Sequence, residues 1–195
     1  GTSGPRDFIE LPSQLLEHWA SEPEVLKSFA KHYETGESIP DELIEKILKA
    51  SKFNQGFINT EYLAASLLDM DWHTISYTDP LKDSNEFEKV SLEKIGLIDE
   101  IAPRYRSTYF AHIFSGGYSS GYYSYVHAAV LDSDGFEAFK EAGDVFDPEL
   151  STKLRKTIYE KGSTEEAMDL FVNFRGRKPI IAPLLKVRGL DGSSG

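Results

Sequence analysis

The spacing of apolar residues along the chain predicts helices from one end to the other. In LPSQLLEHWASEPEVLKSFAKHY, apolar residues recur at helical spacing, and Pro23 suits the first turn of a second helix. The segment GESIPDELIEKILKASKF repeats the pattern, with acidic residues after Pro40 and lysines towards its end. Within the first of these segments, the predicted core residues are Leu15, Leu16, Trp19, Leu26, Phe29 and Ala30.

A longer helix is predicted from Gln55 to near Tyr77, and SNEFEKVSLEKIGL predicts a further amphipathic helix. The residues expected to be buried on the longer helix are Tyr62, Leu63, Ala65, Ser66, Leu67 and Met70. Residues 102–117, which include a proline and a Gly-Gly pair, predict a loop.

Further helices are predicted at 118–131, 135–142, 148–161 and 164–174. The last should begin with an N-cap in STEE, and the proline-punctuated segment KPIIAPLLKVRGL should be extended. The sequence shows neither an internal repeat nor strand-like alternation. The predicted fold class is therefore all-α.

Charge and composition narrow the classes of partner and compartment. The chain has 21 Lys and Arg against 32 Asp and Glu, a formal charge of −11 that repels phosphate and argues against nucleic acid as a partner. Without cysteine the chain forms neither disulfides nor thiolate metal sites. A chain without cysteine is compatible with both the cytoplasm, which is the expected location, and the periplasm. It has no apolar run near the roughly 18 residues of a membrane span, so no membrane partner is expected.

Both ends of the chain have linker-like composition. GTSG opens the sequence, and residues 191–195 read DGSSG, which we interpret as a tail after a segment at 1–190. We expect a piece of a larger protein, and the sequence leaves open whether it is a natural fragment, a processed product or an engineered piece.

The stretch HIFSGGYSSGYYSY is the strongest candidate for chemistry. If a helix starts near Tyr118, then Tyr118, Tyr122 and Tyr125 lie on one helical face. Phenol donors in a row can stabilise an oxyanion, and the preceding Gly-Gly pair permits a close backbone approach or a positive φ. The alternative is a glycine turn followed by an aromatic stripe packed into the core, which spacing alone favours.

Three segments together resemble one family. HIFSGGYSSGYYSY resembles the signature loop of the thimet oligopeptidase and peptidyl-dipeptidase family of zinc metallopeptidases. PRDFIELPSQLLEHW resembles the block after that family's zinc-binding helix, and NFRGRKPIIAPLLKVRGL resembles its C-terminus. The resemblance implies that residues 1–190 form the C-terminal segment of a zincin-like, multi-helix catalytic domain. The bacterial peptidyl-dipeptidase branch, which removes dipeptides from peptide C-termini, is the most similar.

The resemblance also implies roles for individual residues. Glu10 matches the third zinc ligand, and Tyr125 matches the phenol that stabilises the tetrahedral oxyanion. His112 and Tyr118 match residues that position the substrate backbone. The expected substrate-binding residues are Gly116, Gly117 and Tyr122, and the residues expected to orient the metal ligand are Glu17 and Asp7. Without the resemblance, Glu10 reads as an acidic residue that favours the dipole at a helix start.

The histidines depart from the family pattern. Zinc metallopeptidases of this kind need an H-E-x-x-H helix, and none of the five histidines forms that motif. His127 stands where the family has tryptophan, and His18, His32 and His73 read as packing or surface residues.

A missing zinc helix limits what the chain can do alone. One carboxylate does not hold zinc, so Zn²⁺ is expected only together with an upstream half of the same enzyme, and the chain alone is expected to be inactive. The expected partners are that half and short peptide substrates. The alternative, from another class, is a non-enzymatic all-α module that binds peptides in the tyrosine-lined groove.

Overall fold

In a computed structural model that describes residues 4–192, the chain is all-α, as predicted. Its α-helices are α1 Leu11–Ala20, α2 Pro23–Phe29, α3 Asp41–Ala50, α4 Gln55–His73, α5 Ser84–Lys94, α6 Ala111–Phe114, α7 Ser124–Ala142, α8 Pro148–Leu154, α9 Ala167–Arg175 and α10 Ala182–Val187. A 3₁₀ turn occupies Ser107–Tyr109, and a π-helical turn, Arg155–Tyr159, extends α8. Within 4–192 the only strand-like pairing is an isolated bridge between Lys31 and Ser38.

The described chain divides into two compact units. The first unit contains the residues up to Phe53 and those from Val126 onward, and the second contains Asn54–Tyr125. No helix among the described residues is long and apolar enough to cross a membrane.

The core of the first unit forms where α1 packs on α7. Leu11 and Leu15, one turn apart on α1, are fully buried, and a Cβ added to Gly135 of α7 would lie 3.5 Å from the Leu15 side chain. Leu16, 58% exposed, points away from this core, because successive helical residues differ by about 100° in direction. Phe29 is also exposed, so its predicted burial and that of Leu16 are wrong.

The buried face of α4 in the second unit differs from the predicted one. Ala65 and Leu68 are fully buried, whereas Leu63, Leu67 and Met70 are exposed. Apolar residues occur all around α4, so periodicity alone does not identify which face packs inward.

Several predicted boundaries also differ from the structure. The predicted loop at 102–117 contains the 3₁₀ turn and α6, and α7 runs without a break through the predicted gap at 132–134. Asp132 and Asp134 are tolerated inside that helix because both side chains are buried with hydrogen-bond partners.

The C-terminal predictions need two corrections. The STEE motif does not cap a helix, since α9 begins at Ala167 after Glu166, whose side chain makes no capping bond. The segment predicted as extended contains α10, where Pro183 lies in the first turn, a position that tolerates a residue without an N–H.

Candidate functional site

The Gly-Gly pair closes α6 with a turn that only glycine fits. The backbone N–H of Gly116 donates to the Ala111 carbonyl at 2.7 Å, and that of Tyr118 donates to the His112 carbonyl at 2.9 Å. A Cβ on Gly116 would lie 2.9 Å from the His112 Cα, and Gly117 has φ +81°. The first glycine is required by space and the second by its left-handed backbone.

Three tyrosines and a histidine gather after this turn, and we call His112, Tyr118, Tyr122 and Tyr125 the aromatic cluster. The Tyr118 and Tyr125 rings stack with centroids 5.1 Å apart, and Tyr122 lies 5.4 Å from Tyr125. The His112 ring lies between 5.7 and 6.3 Å from each of the three phenol rings.

The tyrosines come together by a route that differs from the predicted one. Residues 118–123 form turns, and α7 begins only at Ser124, so the predicted helical face through Tyr118, Tyr122 and Tyr125 is wrong. Ser120, with φ +53°, turns the backbone between the first two tyrosines. The proximity of the rings is therefore tertiary.

Within the aromatic cluster, Tyr122 forms the inner side. It is 2% exposed, whereas His112, Tyr118 and Tyr125 are partly exposed. Burial raises the pKa of Tyr122 to about 12, although the nearby Tyr62 hydroxyl and the positive charge of Arg104 oppose that rise. The side chains that a ligand can reach are those of His112, Tyr118 and Tyr125.

A buried carboxylate on α4 holds the backbone of this segment. Asp69 is fully buried and accepts the backbone N–H of Ser120 at 3.0 Å and that of Tyr122 at 2.9 Å. The Nδ1 atom of His73, one turn along α4, lies 2.8 Å from the same carboxylate. Sequence reasoning missed Asp69, and the available signal was an acidic residue with a histidine four positions later in an apolar stretch.

A tyrosine and an arginine flank the cluster. Tyr62 stacks on Tyr122 at 5.2 Å, and burial, followed by the effect of Tyr122, raises its pKa far above the usual value. The guanidinium carbon of Arg104 lies 5.7 Å from the centre of the Tyr62 ring. Neither Tyr62, which we expected only as a buried residue, nor Arg104 was predicted as a site residue.

The predicted metal ligand and its neighbours lie in the first unit. Glu10 precedes α1, and its carboxylate accepts a hydrogen bond from the Ser13 hydroxyl at 2.9 Å. The Asp7 carbonyl is 2.9 Å from His127 Nδ1, and Glu17 is exposed on α1. The convergence of Glu10 with the aromatic cluster stays a prediction, as do the roles of Glu17 and Asp7 in orienting the metal ligand.

Glu10 is not part of a preformed metal centre. Among residues 4–192, no three His, Cys, Asp or Glu side chains come together in a way that could hold an ion. Zinc sites use at least three protein ligands, so the described residues do not by themselves fit zinc.

Comparison with known proteins shows a match along nearly the whole chain. Over 192 residues it is 43% identical to the Dipeptidyl carboxypeptidase of Escherichia coli (strain K12), and over 198 residues it is 38% identical to Oligopeptidase A of the same strain. Each match covers 98% of this chain and 28% of the relative. Saccharolysin of Saccharomyces cerevisiae is 32% identical over 192 residues, which make up 26% of its length.

The chain thus spans little more than a quarter of the length of these relatives. The model of Peptidase family M3 matches residues 1–190. With a family match over 190 of its 195 residues, the chain belongs to peptidase family M3.

Proposed function

We propose that this chain is the C-terminal segment of the catalytic domain of a zinc metallopeptidase that hydrolyses short peptides. The observation that supports this most strongly is the aromatic cluster, in which His112, Tyr118 and Tyr125 are partly exposed and lie beside one another. Because the chain belongs to a peptidase family, the reaction that the cluster would assist is peptide hydrolysis.

The cluster provides phenol and imidazole hydrogen-bond donors of the kind that stabilise the oxyanion of acyl transfer. The phenol of Tyr125 donates to the oxyanion that develops on the scissile carbonyl, with Tyr118 stacked beside it. His112 donates to a carbonyl of the bound peptide, and the Gly116–Gly117 turn lets the peptide backbone pass close to the protein. Tyr122 supports the other rings from the buried side.

Glu10 supplies one ligand to a zinc site that another segment completes. An H-E-x-x-H helix from the upstream half of the enzyme would provide the two histidine ligands and the general base. A zinc ion held by Glu10 and those two histidines would supply polarisation of the carbonyl and a more acidic water molecule. Glu17 and Asp7 would orient the ligand set. The chain alone would be inactive.

The partners follow from the same proposal. The substrates are short peptides, and the similar relatives named Dipeptidyl carboxypeptidase and Oligopeptidase A favour peptidyl-dipeptidase or oligopeptidase activity. The acidic chain is not expected to bind nucleic acid. We place the enzyme in the cytoplasm, with the periplasm as the second choice.

A peptide-binding module without catalysis is the competing function. It is favoured by one observation: the aromatic cluster is complete within Asn54–Tyr125 and needs no residue of the first unit for its assembly. In that case Tyr125 would contribute contact surface, and its hydroxyl would be dispensable.

The Tyr125→Phe substitution separates these two functions. In the chain assembled with its zinc-helix segment, we expect kcat for a blocked peptide to fall by about 10²- to 10³-fold with little change in KM. Tyr123→Phe is the matched control, because Tyr123 is exposed and makes no ring contact with the cluster among the described residues. Unchanged kcat in Tyr125→Phe would refute the oxyanion role.

A further inference from the structure

His73, the last residue of α4, contacts the buried carboxylate that holds the tyrosine segment. Its Nδ1 atom lies 2.8 Å from Oδ1 of Asp69 and 2.9 Å from the backbone carbonyl oxygen of the same residue. The His73 side chain is 22% exposed, whereas Asp69 is fully buried. The imidazole ring also lies 5.9 Å from the ring of Phe114, the last residue of α6. His73 therefore lies between α4 and the segment that leads into the Gly-Gly turn.

The two oxygens near Nδ1 determine where the imidazole of His73 carries its proton. A carboxylate oxygen and a carbonyl oxygen are both acceptors, so Nδ1 is the N–H nitrogen and, in the neutral ring, Nε2 carries the lone pair. His32 has the opposite arrangement, because its Nδ1 accepts the backbone N–H groups of Glu34 and Thr35, each at 3.3 Å. The two histidines should therefore be opposite tautomers.

The Asp69 carboxylate uses the His73 N–H to complete its set of donors. Its Oδ1 atom accepts from Ser120 and His73, and its Oδ2 atom accepts from Tyr122. Within residues 4–192, no Lys or Arg forms an ion pair with Asp69, and His73 supplies its side-chain donor. A buried charge is tolerated only where such donors surround it. Because His73 and Ser120 share one oxygen, a carboxylate that turned away from His73 would also leave the backbone of the tyrosine segment.

We propose that His73 is a positioning residue for the aromatic cluster. Its Nδ1–H holds the Asp69 carboxylate in the orientation that accepts the N–H groups of Ser120 and Tyr122. All of these contacts lie within the second unit. The consequence for catalysis rests on the proposed function, since it requires the cluster to act on a bound peptide.

The tautomer is tested first, by nitrogen-15 NMR of the 195-residue chain without zinc. At about pH 8, where an ordinary imidazole is neutral, we expect Nδ1 of His73 to give the signal of an N–H nitrogen and Nε2 that of a lone-pair nitrogen. His32 should show the reverse assignment in the same spectrum. A lone pair on Nδ1 of His73 would overturn the proposal, because that atom could not donate to Asp69.

Three substitutions of His73 separate the N–H group from the bulk of the ring. His73→Phe keeps a ring and removes the donor, so amide exchange at Ser120 and Tyr122 should become about 10- to 100-fold faster, as expected for the loss of a hydrogen bond to a charged group. His73→Asn places an amide nitrogen near the position of Nδ1 and should restore most of the protection. His73→Gln places it near the position of Nε2 and should not.

His32→Phe is the matched control, because His32 belongs to the first unit and bonds to backbone groups of its own turn. It should leave exchange at Ser120 and Tyr122 unchanged. Unchanged exchange in His73→Phe would overturn the proposal, as would equal protection in the Asn and Gln variants. If His73→Phe fails to fold, the comparison of Asn with Gln still decides, since both introduce a neutral amide.

A kinetic comparison separates this proposal from the proposed function. In the enzyme assembled with its zinc-helix segment, His73→Phe should lower kcat for a blocked peptide by about 10-fold with little change in KM, and His73→Asn should restore it. Unchanged kcat in His73→Phe would overturn the part of His73 in the reaction and leave the peptidase function standing. Absence of hydrolysis by the unmodified enzyme would refute the peptidase function, and the zinc-free exchange would still decide whether His73 holds the tyrosine segment.

Discussion

The carboxylate of Asp69, near the C-terminal end of α4, accepts the backbone N–H of Tyr122, 53 positions later in the chain, at 2.9 Å. Its other oxygen accepts the N–H of Ser120 and lies 2.8 Å from His73. One buried charge thus sets the backbone position of the segment that holds Tyr118, Tyr122 and Tyr125. The aromatic cluster is preorganised by this carboxylate, because the two N–H groups it binds lie in the turn between the tyrosines.

Replacing Asp69 should therefore loosen the tyrosine segment. We expect Asp69→Ala to lower the free energy of unfolding by about 3 kcal/mol or more, because it leaves buried N–H groups without acceptors. The amides of Ser120 and Tyr122 should exchange with solvent far faster than in the unmodified chain, and NMR-detected hydrogen exchange measures this directly.

Asp99→Ala is the control for that substitution. Asp99 is exposed and makes no hydrogen bond or ion pair that the described structure records. It should change stability by less than about 0.5 kcal/mol. Unaltered exchange at Ser120 and Tyr122 in Asp69→Ala would contradict the anchoring role.

The two glycines should respond differently to alanine. Gly117→Ala should cost about 1–2 kcal/mol because alanine disfavours φ +81°. Gly116→Ala should also displace His112, whose Cα would be 2.9 Å from the new methyl group. Gly96→Ala, at φ +70° with nothing within 4 Å, is the control for backbone strain alone. Urea unfolding gives the stabilities, and a shift of the His112 ring resonances in Gly96→Ala would count against this explanation.

A second buried carboxylate, Asp134, should be essential for folding of the C-terminal segment. Its oxygens accept two hydrogen bonds from Arg177, each at 2.6 Å, and one from the Ile180 N–H at 3.0 Å, and Arg175 lies 3.2 Å away. Asp134→Ala should cost about 3–5 kcal/mol, because it leaves the Arg177 guanidinium and the Ile180 N–H without their carboxylate acceptor. The exposed Arg155–Glu160 pair is the comparison, and Glu160→Ala should cost less than about 1 kcal/mol. Similar losses in both variants, measured by urea unfolding, would argue against this ranking.

Stability should decline in alkaline solution because of Tyr122. Its folded pKa of about 12 lies above the ordinary tyrosine pKa of about 10. Between these values the unfolded chain has lost the proton and the folded chain keeps it, so the free energy of unfolding falls as pH rises. The stabilisation that comes from the raised pKa of Tyr122 is complete below pH 10 and is lost as pH rises through about 12.

Tyr122→Phe removes that contribution to the pH dependence. Between pH 9 and pH 11, the unmodified chain should lose about 1 kcal/mol more than this variant, as measured by urea unfolding. Tyr77→Phe should behave like the unmodified chain, since Tyr77 is almost fully exposed. Equal losses in the unmodified chain and Tyr122→Phe would show that Tyr122 does not titrate as described.

Helical periodicity identified most helices of this chain because each needs only one apolar stripe. It did not identify the inward face of α4, where Leu63 and Leu67 are as apolar as the buried Leu68. The helix break predicted at 132–134 is absent for a related reason. Single-sequence reasoning treats acidic residues as exposed, whereas Asp132 binds Gln14 and His18 from a distant helix.

The aromatic cluster was predictable only in part. His112, Tyr118, Tyr122 and Tyr125 were selected from one continuous stretch, and the structure brings them together. Asp69 and Arg104 lie outside that stretch, and their roles depend on tertiary contacts that no local pattern encodes. A short motif therefore predicts which side chains lie together better than it predicts what holds them in place.

If this chain is one part of a metallopeptidase, mixing it with the segment that carries the zinc helix should give activity. The chain would be combined with a separately produced upstream segment containing the H-E-x-x-H helix, and release of C-terminal dipeptides from a blocked peptide would be assayed with and without zinc. We predict hydrolysis only in the zinc-containing mixture and its loss in Glu10→Gln. A complex that forms by size-exclusion chromatography, binds zinc and still hydrolyses nothing would contradict the claim.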